Sequence, residues 1–172
     1  MSQKQLLLVD TNIISHALTP NQTQSYIKLF ADLEKDYRFA VTGLTKYELM
    51  CSSDKEHRAK ITEYLEQNMV YIELSNVLMD FSARLCFLYG KHKSTKSQKI
   101  SMPDIVNGAF SIAKPCSILT IDNNDYPTPF FVEQKRLRIS YTSKQKKPVT
   151  DTAFILHPDI DNLKECFNNH EV

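Results

Sequence analysis

Four consecutive apolar residues that stop on an acid, Leu6-Leu7-Leu8-Val9-Asp10, restrict the fold of this chain more than any other stretch. A run of that length without polar alternation suits a strand buried on both faces. Such strands belong to parallel sheets covered by helices. Asp10 then stands at the strand's carboxyl end, the edge where open α/β sheets gather their ligands, and Thr11-Asn12 follows it.

Parallel strands need helical crossovers, and the chain supplies them. Ile13 to Leu18 predicts a short helix, and Tyr26, Ile27, Phe30 and Leu33 mark a helical stripe beyond the Thr19-Pro20 interruption. Tyr37–Val41, Val70–Leu74 and Ser117–Ile121 read as further strands. Between them, Gly43 to Cys51 opens a helix in which Thr45-x-x-Glu48 has the form of a capping box, and Ser53-x-x-Glu56 repeats that form ahead of Ile61, Tyr64 and Leu65. Val77, Leu78, Phe81, Leu85 and Leu88 predict a long amphipathic helix ending at Gly90. Ser101 is placed to cap the next, with Pro103 in its first turn and Ile105, Val106, Ala109, Ile112 and Ala113 on its buried side. The alternation implies an α/β class: a three-layer α/β/α arrangement around a mostly parallel sheet.

Beyond Pro129 the pattern changes. Arg136–Thr142 and Thr152–His157 predict a β-hairpin with a Lys-rich connection, and Asp159 caps a last short helix through Leu163 and Phe167. The chain divides accordingly into residues 1–131 and a C-terminal extension, 132–172, of hairpin plus short helix packed on the same domain.

Charge is balanced overall, with 21 Lys+Arg against 20 Asp+Glu, so its distribution matters more than its sum. Lys91, Lys93, Lys96 and Lys99 lie in an acid-free stretch that reads as a mobile loop. Lys144, Lys146 and Lys147 close a second acid-free run, which starts at Lys135. Either group is a candidate phosphate-contacting surface or simply a solvated loop. The four cysteines are 35, 30 and 50 residues apart without a CxxC pair, a spacing that fits buried thiols in a reducing cytosol better than zinc or disulfides. The apolar run near the N-terminus is too short for a signal peptide, and no later run has the length of a membrane span, so a cytoplasmic protein is expected. His16, His57, His92, His157 and His170 are scattered, and three glycines leave no phosphate-cradling loop. Most Phe and Tyr residues fall on apolar stripes and read as core. Tyr47, Tyr126 and Tyr141 do not, and each is a candidate for stacking on a base.

Acids recur where apolar strands give way. Asp10 ends the first strand, Glu48 lies in the helix after the second, Asp104 is in the first turn of the helix capped by Ser101, and Asp122 follows Ser117–Ile121 with Asp125 three residues on. Singly, each has a structural role open to it: a helix cap, a capping-box partner, a dipole complement or an Asx-turn. Gathered at one edge, four carboxylates would raise one another's pKa unless a cation neutralised them. An oxygen-preferring divalent ion, Mg²⁺ or Mn²⁺, is the natural candidate, and such ions assist phosphodiester hydrolysis.

These residues resemble a known family. Val9-Asp-Thr-Asn12 is similar to the opening motif of PIN-domain nucleases, among them the VapC toxins of bacterial toxin–antitoxin pairs. Thr42–Leu49 with Glu48, Pro103-Asp-Ile-Val-Asn-Gly-Ala109, and Leu119-Thr-Ile-Asp-Asn-Asn-Asp125-Tyr126 resemble the next three motifs, at intervals of 38, 56 and 18 residues between the acids. The resemblance covers about Leu6 to Phe131 and makes residues 1–131 a PIN-like nuclease domain. It implies an acidic site holding one or two Mg²⁺ or Mn²⁺ ions and endonucleolytic cleavage of RNA, leaving 5′-phosphate and 3′-hydroxyl ends. Asp10, Glu48, Asp104 and Asp122 would be the metal-holding, catalytic acids and Asp125 a nearby fifth, the choice between Asp122 and Asp125 staying open. Thr11, Asn12 and Thr120 match supporting polar positions. A small antitoxin protein and a homodimer are the partners that the resemblance implies.

Three other functions compete. A PIN-like scaffold that binds RNA or protein without cleaving would have no use for four mutually repelling acids. A housekeeping RNA-processing nuclease has the same site as a toxin. A phosphoryl-accepting receiver domain would need an acidic pair at the first strand's end and a late Lys, and Val9-Asp10 and Ile121-Asp122 supply neither.

Overall fold

The structure, a computed structural model, describes residues 4–51 and 53–169. The chain runs β1 (Gln5–Val9), α1 (Thr11–Ala17), α2 (Thr23–Leu33), β2 (Tyr37–Thr42), α3 (Gly43–Cys51), α4 (Lys55–Asn68), β3 (Val70–Ile72), α5 (Asn76–Lys91), α6 (Met102–Ala113), β4 (Ser117–Thr120), a 3-10 turn (Asn123–Asp125), β5 (Phe131–Thr142), β6 (Pro148–Pro158) and α7 (Ile160–Asn169). The strands form one sheet in the order β3-β2-β1-β4-β6-β5. The first four are mutually parallel, and β6 joins antiparallel to β4 with β5 outside it.

The apolar run of β1 explains the two-sided core. Leu7 and Val9 face one layer with Ile13, Tyr26, Phe30, Ile61 and Leu65, whereas Leu8 faces the other with Leu85, Leu88, Val106, Ala109 and Leu163. All three β1 residues are fully buried, as the absence of polar alternation predicts. Val9 pairs with Leu119, and Asp10 N donates to Leu119 O at 3.0 Å, so the carboxyl ends of β1 and β4 finish side by side.

Several local expectations need correction. The first capping box is displaced: α3 begins at Gly43, and Thr42 Oγ1 accepts from Thr45 N at 3.3 Å, which leaves Glu48 free of any capping duty. The second is shifted by one residue, since Asp54 rather than Ser53 caps α4 by accepting from His57 N at 2.8 Å. Asp54→Ala should therefore lower stability by about 1 kcal/mol, and Ser53→Ala by much less, which paired urea melts would resolve. Ile27 and Val77 are 53% and 78% exposed. The buried stripe of α2 is Tyr26, Leu29, Phe30 and Leu33, about 100° round the helix from Ile27. Val77 sits in the solvent-facing first turn of α5, which also continues one residue past Gly90.

The segment after Lys91 is a pinned turn. Thr95 is buried and donates to Tyr89 O at 2.6 Å, and Ser94 Oγ donates to Thr128 O at 3.1 Å. Both hairpin strands extend well beyond the predicted spans, because ladder hydrogen bonds hold β5 against β6 over polar as well as apolar residues. The cysteines are all free, but only Cys116 and Cys166 are buried; Cys51 and Cys86 are exposed. No helix among the described residues is long and apolar enough to cross a membrane. His170 lies outside the described residues.

Candidate functional site

The carboxyl edge of the sheet gathers acids from four segments. Asp10 caps α1 directly after β1, Glu48 comes from α3, Asp104 from the first turn of α6, and Asp125 from the 3-10 turn after β4. One carboxylate oxygen each of Asp10, Asp104 and Asp125 lies within 4.8 Å of the others.

Asp10, Glu48 and Asp104 are each held by hydrogen bonds. Asp10 is 3% exposed; its Oδ1 accepts from Thr11 N at 2.6 Å, and its Oδ2 accepts from Asn12 Nδ2 at 2.8 Å and Thr120 Oγ1 at 2.7 Å. A carboxylate offers about four acceptor positions, so these three donors leave roughly one, on Oδ1. Asn12 is fixed in turn, its Oδ1 accepting from Ile121 N at 3.2 Å. Glu48 Oε2 accepts from Thr11 Oγ1 at 2.6 Å. Ser101 caps α6 through Asp104 N and also donates to Asp104 Oδ2 at 2.5 Å.

Asp122 is placed differently. It is exposed, and its Oδ1 accepts from Asn124 N at 3.0 Å and Asn124 Nδ2 at 2.9 Å, so it caps the 3-10 turn that swings Asp125 inward. Of the two acids left open by the sequence, Asp125 is the one whose oxygen meets those of Asp10 and Asp104.

The electrostatics of the group are those of charge without a counterion. Burial pushes the Asp10 carboxyl up to about 7, against hydrogen bonds that pull it down, with Asp104 and Asp125 adding repulsion. Burial also takes Asp125 to about 7, aided by Asp104, Asp122 and Glu48. Asp104 is raised by burial and by Glu48, with Ser101 and Tyr126 opposing. Among the described residues no Lys, Arg or His forms an ion pair with any of these acids; the ion pairs lie elsewhere.

Below the acids lies a polar layer whose function the sequence did not disclose. Thr42 Oγ1 donates to Asn107 Oδ1 at 2.9 Å, and Asn107 Nδ2 donates to the Tyr126 hydroxyl at 3.4 Å, all three residues being buried. Tyr126, left unplaced by its sequence context, is a floor beneath the acids rather than an exposed stacking platform. Burial, with the charges of Asp10 and Asp104 after it, holds its hydroxyl well above the usual tyrosine range. One signal was available: Thr42 ends β2 as Asp10 ends β1, a polar residue closing an apolar strand.

The basic residues flank this edge. Lys91 at the end of α5 and Lys93, Lys96 and Lys99 in the segment that follows are exposed, and that segment docks through Ser94 on Thr128, just past Tyr126. Lys144, Lys146 and Lys147 are exposed at the hairpin turn. Phe154 of β6 pairs with Thr120, and six residues separate it from Pro148, so the turn projects about 20 Å beyond the end of β4. Ser25 Oγ, donating to Ser140 O at 2.8 Å, and Tyr26 OH, donating to Asp151 Oδ2 at 2.9 Å, tie that arm to α2.

Comparison with known proteins separates fold from sequence. No protein-family model matches the chain. No curated protein matches it either. Among solved structures, a chain of VapBC2 from Rickettsia felis, crystallised bound to a DNA fragment from their promoter, superposes with a TM-score of 0.58 over 70% of this chain and 90% of that one. The fold is PIN-like. At 18% identity the likeness is one of architecture, and it is independent of the acid cluster, which belongs to this chain's own geometry.

Proposed function

We propose that this protein is a divalent-metal-dependent endoribonuclease acting as the toxin of a toxin–antitoxin pair. The observation that carries the reading is the convergence of Asp10, Asp104 and Asp125, drawn from three separate segments to within 4.8 Å at the carboxyl edge of a PIN-like sheet. The donor set fits a hard cation: it is all carboxylate oxygen, it has no protein counterion among the described residues, and its members carry raised pKa values that a cation would relieve. Mg²⁺ or Mn²⁺ satisfies those conditions.

When bound, such a cation supplies Lewis acidity toward a phosphodiester and neutralises the charge developing on it. The chain supplies the rest. Asp10, Asp104 and Asp125 would hold the ion, with Thr11, Asn12 and Thr120 fixing the carboxylate of Asp10 and Ser101 that of Asp104. Glu48, oriented by Thr11 Oγ1, adds its charge from α3, and Asp122 adds charge at the rim. Lys91, Lys93, Lys96, Lys99, Lys144, Lys146 and Lys147 contact the RNA backbone on either side of the cut.

The likeness in fold to a chain of VapBC2 supports a small antitoxin protein as the partner in this reading. The purified protein should cleave RNA with Mn²⁺ or Mg²⁺ and stop when EDTA is added, leaving 5′-phosphate ends. Metal-independent cleavage, or none with either ion, would refute the proposal. Expression alone should arrest growth, and co-expression of a small protein encoded beside it should restore growth.

A further inference from the structure

A cavity of about 160 Å³ shares a wall with the acid site, since Thr11 and Glu48 line both. Thr11, Ser15 and Thr19 recur at every fourth residue along and just past α1, so they form one polar ladder leading away from Asp10. Across from the ladder, Ser53 precedes α4 and His57 lies in its first turn. Leu18, Leu49 and Ile61 make the apolar part of the lining.

The polar groups here are of two kinds. Thr19 Oγ1 and Ser53 Oγ donate to Ser15 O at 2.9 Å and Leu49 O at 2.7 Å, which leaves their oxygens as acceptors. Among the described residues, Ser15 Oγ and the His57 ring have no hydrogen-bond partner, and both residues are exposed to solvent. The cavity is too small for a drug-sized ligand, whose sites run to roughly 300–1,000 Å³. Its lining is mostly polar, with a small apolar patch, and offers mixed donors and acceptors to the edge of one planar ring. That combination fits an unstacked nucleobase, the form in which single-stranded RNA is read in sequence.

We propose that this cavity is a base-recognition subsite, in which Ser15 and His57 read the edge of one nucleotide flanking the scissile phosphodiester. The inference rests on the endoribonuclease reading and adds to it a position where sequence is selected. The acids act on a phosphodiester, which every RNA shares; Ser15 lies more than one helical turn along α1 from Asp10, His57 lines the same cavity from α4, and the two meet the neighbouring nucleotide.

Cleavage of a randomised single-stranded RNA library with Mn²⁺, read by sequencing the product ends, tests it. The wild type should show at least a tenfold preference for one base beside the cut. Ser15→Ala and His57→Ala should each reduce that preference to within about threefold, with an unchanged unfolding midpoint. A wild-type profile without base preference, or a preference that both variants retain, overturns the subsite. If the wild type cuts no RNA, the endoribonuclease proposal fails separately. The cavity is then judged by NMR titration with the four 5′-mononucleotides. Saturable shifts at Ser15 and His57 that favour one base and vanish in the variants uphold it, and their absence overturns it.

Discussion

Asp10→Asn should lower Mn²⁺-dependent RNA cleavage by well over a hundredfold while the protein remains folded. Removing an outer partner of a metal ligand commonly costs about 10–100-fold, and Asp10 lies one step further in. Its Oδ2 is occupied by Asn12 and Thr120, and its Oδ1 by Thr11 N, so the position left for a cation is on Oδ1. Asparagine keeps one acceptor oxygen and turns the other into an NH₂ that faces donors. If the oxygen stays toward Asn12 and Thr120, the amide nitrogen points at Thr11 N; if it flips, it points at the other two. Either orientation removes the charge and leaves a donor opposed to a donor, a penalty of about 1–3 kcal/mol. Relief of a buried and repelled carboxyl offsets part of that cost, so the fold survives. Thr120→Val supplies the control: it removes one donor to Oδ2, keeps the charge, and should lose about 10–100-fold. Initial rates on one RNA, with circular dichroism of each variant, decide the matter. An Asp10→Asn enzyme within tenfold of wild type would remove Asp10 from the site.

Much of the fold was legible because β1, β2 and β4 are buried on both faces over residues 7–9, 39–41 and 118–119, and write that burial as short apolar runs. The positions where inference slipped are those where local chemistry admits two answers. Thr45 and Thr42 are both three-residue neighbours of a helix donor, and the structure selects Thr42 because β2 ends there and α3 starts at once. Ser53 and Asp54 differ by one residue, and the carboxylate caps. β5 and β6 were under-read for another reason. Glu133, Gln134 and Lys135 obscure the first part of β5 at the sheet's edge, where polar and charged side chains stay in water. In the site, chain order put Asp10, Glu48 and Asp104 at the carboxyl edge of the sheet, where the structure has them too. It did not separate Asp122 from Asp125, because three residues of turn decide which carboxylate points inward, and the Asn124 contacts that decide it are invisible to spacing. The layer of Thr42, Asn107 and Tyr126 went unread for the same reason: partners 65 and 19 residues apart leave no local pattern.

Without metal, the wild-type protein should become less stable as pH rises from about 4 to 7, and Mn²⁺ should abolish that loss. Asp10 and Asp125 sit at about 7 in the folded chain against an ordinary value of 3.8. Below 3.8 both states hold these protons and no penalty exists. Between the two values the folded state still holds protons that the unfolded state has released. It therefore binds more protons, and raising the pH favours unfolding. Above 7 the penalty is complete. Asp10 is deeply buried and dominates, whereas half-buried Asp125 counts for less because solvent screens it. The total is on the order of 4 kcal/mol, or roughly 12 °C in unfolding midpoint for a domain of this size. Other titrating groups bend the whole curve, so the difference between wild type and Asp10→Asn is the quantity to read. Asparagine's lost hydrogen bond is independent of pH, and the slope contributed by Asp10 is not. The variant should gain on the wild type steadily from pH 4 to 7 in EDTA. In saturating Mn²⁺ the order reverses, because a cation bound only by the folded wild type adds about 2.7 kcal/mol at a hundredfold excess over its Kd. Parallel pH profiles for the two proteins in EDTA would show that Asp10 carries no raised pKa. Unchanged midpoints on adding Mn²⁺ would show that the three carboxylates hold no ion.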